Sequence, residues 1–368
     1  MDRKGRLVPC FPMLRASPLS VSLLALPETT LGTLYSLHEV FASAGVAWNE
    51  LTGRDVGAPL MAPLIVSRDG RSFRSPCGPL IAPQASFQEA PRSDVVVISD
   101  LQLSPHEDPR KRWPLEVAWC RRQYAQGAVL CSVCTGSIFL AATSLLDGAE
   151  ATSHWAATEL FARFFPAVKL LPERILVVSG DGERIVTSGG AASWQDLALY
   201  LVARFCGPAE AVQIAKVFLL NGHSEGQLLY SVMKRTPRHD DPIVAHCQTW
   251  LADHYHEPHP VKRMMVLSGL KERTFKRRFH AATGYSPIAY VQAMRVEEAK
   301  QLLETTTEPI DDVAVRIGYE DGAFFRRLFK RSTGITPARY RQRFQFIGRQ
   351  AAPVAAVPSC RHATIGGL

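Results

Sequence analysis

The sequence lacks any apolar run of about 18 residues, the length a bilayer-spanning helix requires, and this excludes an integral helical membrane protein. Arg3, Lys4, Arg6 and Arg15 do precede an apolar stretch, Leu19 to Leu26, in the order of a secretory leader. Ser20 and Ser22 interrupt that stretch and Pro27 closes it, so it reads as a buried first strand. Eight cysteines in 368 residues are too few and too irregularly placed for a disulfide framework, which points to a reducing cytoplasm. Cys131 and Cys134 form a C-x-x-C with no second pair at zinc spacing, so no metal site is expected. Thr187-Ser-Gly-Gly190 is glycine-rich but lacks the lysine and hydroxyl of a phosphate loop, and no cofactor is expected. Lys and Arg number 42 against 34 Asp and Glu, a formal charge of +8 that favours a polyanionic partner.

A chain of this length makes two domains with some linker. After a flexible amino terminus, residues 1–17, residues 18–207 alternate short β-rich runs with helical stretches, the pattern of a doubly wound α/β domain. Strands are expected at Val21 to Leu26, Leu64 to Ser67, Val95 to Ser99, Ala128 to Val133, Ile175 to Ser179 and Ile185 to Ser188. Helices are expected at Leu34 to Ala44, Pro114 to Gln126, Ser137 to Leu146, Trp155 to Phe164 and Trp194 to Phe205, the last capped by Asp196. Residues 208–241 read as a helix, Ala209 to Leu220, and a polar linker. Residues 242–345 read as helices broken by short turns, and residues 346–368, rich in Ala, Pro and Gly, as a disordered tail.

The helical part contains an internal repeat with a period near fifty residues. The first copy runs from Val266 to Phe279 and closes with Thr283-Gly-Tyr-Ser-Pro287, and the second runs from Val315 to Phe329 and closes with Thr333-Gly-Ile-Thr-Pro337. Gly269 pairs with Gly318, Phe279 with Phe329, Pro287 with Pro337 and Tyr290 with Tyr340. Each copy has the parts of a helix-turn-helix: a short helix, a glycine turn, and a second helix with aromatics on one face and bases on the other.

In the first copy the second helix is expected over Lys271 to His280, with Phe275 and Phe279 in the core and Lys271, Arg273, Thr274, Lys276 and Arg277 outward. In the second, Asp321 is the expected N-cap, Phe325 and Phe329 repeat the core pair, and Ala323, Arg326, Arg327 and Lys330 share the outward face with Arg331. Arg and Lys neutralise phosphates and pair with guanine edges in the major groove of double-stranded DNA. Between the copies, Ile288, Val291, Met294, Ala299, Leu302 and Leu303 mark a connecting helix roughly 27 Å long, against roughly 34 Å for one DNA turn. One monomer can then set both recognition helices in successive major grooves. A solvated basic surface and an architectural DNA-bending protein are the blander alternatives.

With Lys300-Gln-Leu-Leu303, Ile317-Gly-Tyr319 and Gly334-Ile-Thr-Pro337, residues 242–343 resemble the AraC/XylS family. That resemblance implies sequence-specific DNA binding and control of transcription, usually activation through RNA polymerase.

In the first domain, Val129-Leu-Cys-Ser-Val-Cys-Thr-Gly-Ser137 reads as a strand, a sharp turn with Cys134 at its apex, and a helix whose N-terminus lowers the thiol pKa. His154, in Thr152-Ser-His-Trp155, is its candidate partner. This stretch resembles the nucleophile elbow of the PfpI-like, class I glutamine amidotransferase-like superfamily, which implies a flavodoxin-like fold. Catalytic members place an acid just before the first helix; Thr33 falls there in this sequence, and neither Glu28 nor Glu39 is in register. A ligand pocket around Cys134, Thr135, His154 and Trp155 is therefore expected in place of an active site, with a cysteine-dependent amidase as the alternative and an inherited, merely packed turn as the plainest reading.

The domain order resembles the GlxA-type branch of AraC-family regulators, which implies a sensor for a small nitrogenous metabolite. A homodimer is expected, with Ala209 to Leu220 as its candidate surface.

Overall fold

The computed structural model describes residues 17–104, 107–233 and 239–349. Residues 1–16 and 350–368, which carry most of the expected flexible amino terminus and disordered tail, lie outside them. The chain divides into two units between Leu228 and Leu229. No helix among the described residues is long and apolar enough to cross a membrane.

The first unit opens with β1 (Leu19–Leu24), α1 (Leu31–Ala42), α2 (Ala47–Leu51) and β2 (Met61–Ser67). Short strands follow, β3 (Phe73–Arg74), β4 (Leu80–Ile81) and β5 (Ala85–Ser86), then β6 (Val95–Ile98), α3 (Pro114–Ala125), β7 (Val129–Val133) and α4 (Gly136–Ala142). The unit closes with β8 (Glu150–Ala151), α5 (Thr158–Phe164), β9 (Lys169–Leu170), β10 (Leu176–Ser179), β11 (Ile185–Ser188), α6 (Trp194–Cys206) and α7 (Pro208–Phe218). Seven strands form one sheet in the order β10-β11-β7-β6-β1-β2-β5, parallel except for β10 against β11. The order reverses between β1 and β6, the switch point at which doubly wound sheets open a crevice beyond their strand ends.

Central strands are buried on both faces, so β6 reads Val95-Val-Val-Ile98 with no polar alternation. Alternate residues nonetheless feed two cores: Val129, Cys131 and Val133 of β7 pack with α1 and α6, while Leu130 packs with Trp119, Phe139 and Phe161 from α3, α4 and α5. The mixed α/β first unit and the all-α second unit with two helix-turn-helix clusters match the expected fold class.

Several elements depart from expectation. The helix expected to reach Leu146 stops at Ala142, where Thr143 Oγ1 donates to Leu140 O and Ser144 takes φ +59°. The helix expected from Trp155 begins as a single tight turn, Trp155–Ala157, before α5. Asp196 caps nothing: Ser193 is the N-cap of α6, and Asp196 instead holds His223 through Oδ1 to its amide at 2.8 Å and Oδ2 to its ring Nδ1 at 2.7 Å. Residues 208–228, read as helix and linker, are part of the first unit, with Ala211 and Ile214 of α7 in its core.

The second unit runs α8 (Pro242–His254), α9 (Pro260–Ser268), α10 (Glu272–Thr283), α11 (Pro287–Thr305), α12 (Ile310–Arg316), α13 (Gly322–Thr333) and α14 (Pro337–Arg349). α14 thus extends into residues read as tail. Asp241 opens the bundle by accepting from the Ile243 and Val244 amides.

The repeat is visible in three dimensions. The rings of Phe275 and Phe279 pack tilted with centroids 5.5 Å apart, those of Phe325 and Phe329 edge-on at 5.7 Å, and Tyr290 and Tyr340 each meet the second Phe edge-on at 5.4 Å. Thr283 and Thr333 each donate to the carbonyl four residues back, at 2.7 and 2.8 Å, where the helix turns at Gly284 and Gly334. Ile288, one of the apolar positions that mark the connecting helix, is exposed, because the buried face of α11 runs through Pro287, Tyr290 and Val291.

Arg295 of α11 ties the connection between α8 and α9 to the turn of the second copy. It is 6% exposed, and its guanidinium donates to the carbonyls of Tyr255 at 2.7 Å, Glu257 at 2.9 Å and Gly318 at 2.9 Å. A Cβ on Gly318 would lie 2.2 Å from His256 O and 2.7 Å from an Arg295 guanidinium nitrogen, at φ +90°. Its counterpart Gly269 also has positive φ, +62°, but nothing within 4 Å of a Cβ. Gly269→Ala is therefore expected to cost about 1 kcal/mol for the left-handed backbone alone, and Gly318→Ala about 3 kcal/mol or more for backbone and overlap together. Denaturant unfolding of the full chain measures both, and equal costs would sink this account.

Candidate functional site

The two recognition helices present their bases outward. On α10, Lys271, Arg273, Lys276 and Arg277 are exposed and Thr274 is half-buried; on α13, Asp321, Ala323, Arg326, Arg327 and Lys330 are exposed. Lys271 is the N-cap of α10, one residue outside the helix in which it was expected. Asp321 caps α13, accepting from the Ala323 amide at 2.8 Å and the Phe324 amide at 3.0 Å, and those bonds hold its carboxyl below the usual aspartate range.

Three of these bases meet an acid within the chain. Lys276 contacts Glu272 at 2.5 Å, Arg326 contacts Asp311 at 2.5 Å, and Arg327 comes within 4.0 Å of Asp321. All three pairs are exposed, the class that contributes least to folding and yields most readily to a competing anion. Arg278 is engaged differently: it donates two 2.8 Å bonds to Asp241, one to each carboxylate oxygen, and so anchors α10 to the start of α8.

The second candidate site lies at the carboxyl ends of β6 and β7. Cys134 follows β7 with φ +55°, a conformation that few residues other than glycine adopt. The turn is held from three sides. The Cys134 amide donates to Ser188 O at 3.0 Å, its carbonyl accepts from Ser137 Oγ at 2.9 Å and Ser153 Oγ at 3.2 Å, and Thr135 Oγ1 both donates to Leu101 O and accepts from Leu101 N.

The expected low thiol pKa is overturned. Cys134 is 6% exposed, and burial, seconded by the negative charge of Asp100, pushes its thiol up to about 12. Hydrogen bonding from Thr135 opposes this shift without reversing it. His154 is pushed the other way, since burial holds its pKa below the usual histidine range. Its Nδ1 accepts from the Ala156 amide at 3.1 Å, which places the proton of the neutral ring on Nε2. Both groups therefore favour their neutral forms, and a thiolate–imidazolium pair is disfavoured from either end.

Asp100, just beyond β6, is the carboxylate that sequence reading missed. Its Oδ2 accepts from Thr30 Oγ1, its backbone oxygen accepts from Thr30 N, and its buried Oδ1 has no hydrogen-bond partner among the described residues. Glu28 is occupied elsewhere, accepting from Arg112 at 2.7 Å and from the Trp113 ring nitrogen at 3.2 Å.

A cavity of about 300 Å³ opens beside the turn, lined by Thr135, Ile138, His154, Ala157, Glu159 and Arg163 among others. Cys134 and Trp155, expected around the same pocket, are not part of its lining: the Cys134 thiol is buried in the α1/α6 core, and the Trp155 amide donates to Gln227. Among the described residues no group of three or more His, Cys, Asp or Glu side chains is placed to hold a metal ion.

Residues 267–343 match the model of a helix-turn-helix domain, and residues 61–204 match that of the DJ-1/PfpI family. The chain is thus similar to AraC/XylS-type helix-turn-helix regulators that carry a PfpI/DJ-1-like domain in front. It is 28% identical to the HTH-type transcriptional regulator GbdR of Pseudomonas aeruginosa, over 91% of this chain and 87% of that one. To the HTH-type transcriptional regulator CdhR of the same species it is 26% identical, over 79% and 85%. A crystal structure of an AraC family transcriptional regulator from Pseudomonas putida aligns with 55% of this chain and all of its own, at 17% identity and a TM-score of 0.45.

The thiol account has a direct check. Alkylation of Cys134 by iodoacetamide, followed by mass spectrometry, is expected to be far slower at neutral pH than that of the exposed Cys77, and to accelerate only as pH climbs towards 12. Rapid labelling of Cys134 at pH 7 would contradict it.

Proposed function

We propose that this chain is a sequence-specific transcription activator that binds promoter DNA through both recognition helices and contacts RNA polymerase. The observation that carries this reading is the pair of exposed basic faces on α10 and α13, joined by the single helix α11 and held in register by Arg295. With 19 residues, α11 is about 28 Å long, a spacing suited to successive major grooves. Lys271, Arg273, Thr274, Lys276 and Arg277 from the first unit of the repeat, and Asp321, Ala323, Arg326, Arg327 and Lys330 from the second, are the proposed DNA-facing residues. The similarity to the regulators GbdR and CdhR supports the regulator reading.

The amino-terminal domain is proposed to sense rather than catalyse, as in the GlxA-type branch, with a small nitrogenous metabolite in the cavity beside Thr135 and His154. The lining carries both a carboxylate, Glu159, and a guanidinium, Arg163. A cysteine-dependent amidase with Cys134 as nucleophile is the second reading; the buried, neutral thiol and neutral His154 weigh against it. The protein is proposed to act in the cytoplasm as a homodimer. Val212 of α7 and the neighbouring Leu219 are exposed on the candidate surface.

Selection of DNA fragments by the purified protein at physiological salt tests the main reading. A discrete motif with two half-sites about one turn apart is expected, and changing Arg273, Arg277, Arg326 and Arg327 together to Ala is expected to abolish its enrichment. Weak, motif-free binding that modest salt removes would replace the regulator with a basic surface. Thermal-shift titration with nitrogenous metabolites tests the sensor separately. A stabilising ligand is expected to lose its effect in His154→Leu, and the absence of any shift across the series would remove the sensor reading. Turnover abolished by Cys134→Ser with DNA binding intact would favour the amidase.

A further inference from the structure

The glycine-rich stretch Thr187–Gly190 has no part in the function described so far, yet it helps to build a recess of definite chemistry. Gln227 is 2% exposed, and its carboxamide fills that recess. Its nitrogen donates to Ser153 O at 2.8 Å and lies 3.2 Å from Arg174 O and 3.3 Å from Thr152 Oγ1, both acceptors. Its oxygen accepts from the Trp155 amide at 3.2 Å. Three oxygens on one side and an N–H on the other fix the orientation of the amide, since a flipped group would set oxygen against oxygen.

The walls are placed by the strands behind them. Thr187 Oγ1 accepts from the Thr152 amide at 2.8 Å, and Thr152 Oγ1 spends its own proton on Arg174 O at 2.8 Å. A Cβ on Gly189 would lie 2.8 Å from the Gln227 nitrogen, so a side chain at that position would close the recess.

Two neighbours of this recess give it significance. His154 and Ala156, either side of Trp155, line the cavity proposed to hold the ligand, so the turn that bonds Gln227 is also the cavity wall. Gln227 itself ends a strap that leaves α7 at Leu219 in a left-handed conformation and is pinned by Asp196 at His223. Two residues beyond Gln227, Leu229 is 1% exposed in the core of the second unit with Leu302, Leu303 and Tyr340.

We propose that this recess is a binding site for a primary carboxamide, occupied by the chain's own Gln227, and that release of Gln227 passes the filling of the His154 cavity to the strap. The second half rests on the sensor reading above; the first half stands without it.

Native-state hydrogen exchange of the full chain tests both. Gln227→Ala is expected to raise exchange at the Trp155 and His223 amides about tenfold, the effect of one set of carboxamide bonds. Acetamide, the fragment that this substitution deletes, is expected to restore protection, whereas acetate, a carboxylate facing three oxygen acceptors, is not. Unchanged exchange in Gln227→Ala, or equal restoration by acetate, would overturn the carboxamide site. Exchange raised throughout β7 and α6, in Gln227→Ala and in the volume-preserving Gln227→Met alike, would make Gln227 a structural plug and overturn it too. A cavity-filling Ala157→Leu is expected to raise exchange at the strap; no change there would overturn the coupling, while the metabolite titration independently decides whether the cavity binds a ligand.

Discussion

One buried cation organises the DNA-binding unit. Among the described residues Arg295 makes no ion pair; it is satisfied by three backbone carbonyls and by the face of Tyr319, 4.7 Å away. Two of those carbonyls belong to the connection between α8 and α9, just ahead of the first copy of the repeat, and the third to the turn between α12 and α13 in the second copy. A guanidinium is rigid and planar, so the three bonds set positions as well as energies. Gly318 is glycine because the arrangement leaves no room for a Cβ, and the relation of one recognition helix to the other follows from the same few atoms.

The repeat was legible because its parts are local. A phenylalanine pair at i, i+4, a threonine that ends a helix, and a glycine at positive φ each act within a turn or two of chain, and spacing alone exposes them. Arg295 was not legible, because it lies on the connecting helix among apolar residues and its acceptors are backbone atoms that no sequence pattern marks. The same distinction runs through the α/β domain. All six expected strands are present, whereas the edge strand Ala85–Ser86 is too short to show any period.

At the Cys134 turn, sequence reading gave the backbone correctly and the electrostatics with the wrong sign. A helix N-terminus does favour a thiolate, but that effect is modest and falls off within a turn, while burial in an apolar layer acts at full strength. Burial is a property of the whole sheet sandwich and cannot be read from nine residues. Asp100 eluded the reading for a similar reason: it stands beyond a different strand, and only the parallel pairing of β6 with β7 brings its charge to Cys134. Gln227 lies more than fifty residues from every oxygen it satisfies.

The acids beside Lys276, Arg326 and Arg327 have a consequence for how this surface meets DNA. Salt sensitivity of DNA binding counts the small ions set free when bases take up phosphates, and a base already facing a carboxylate holds fewer of them. On the proposed reading, a phosphate arriving at Arg326 would displace Asp311 rather than a condensed counterion. The carboxylates would then stand where phosphates come to lie. They also make the salt dependence of binding shallower than a count of exposed lysines and arginines would suggest.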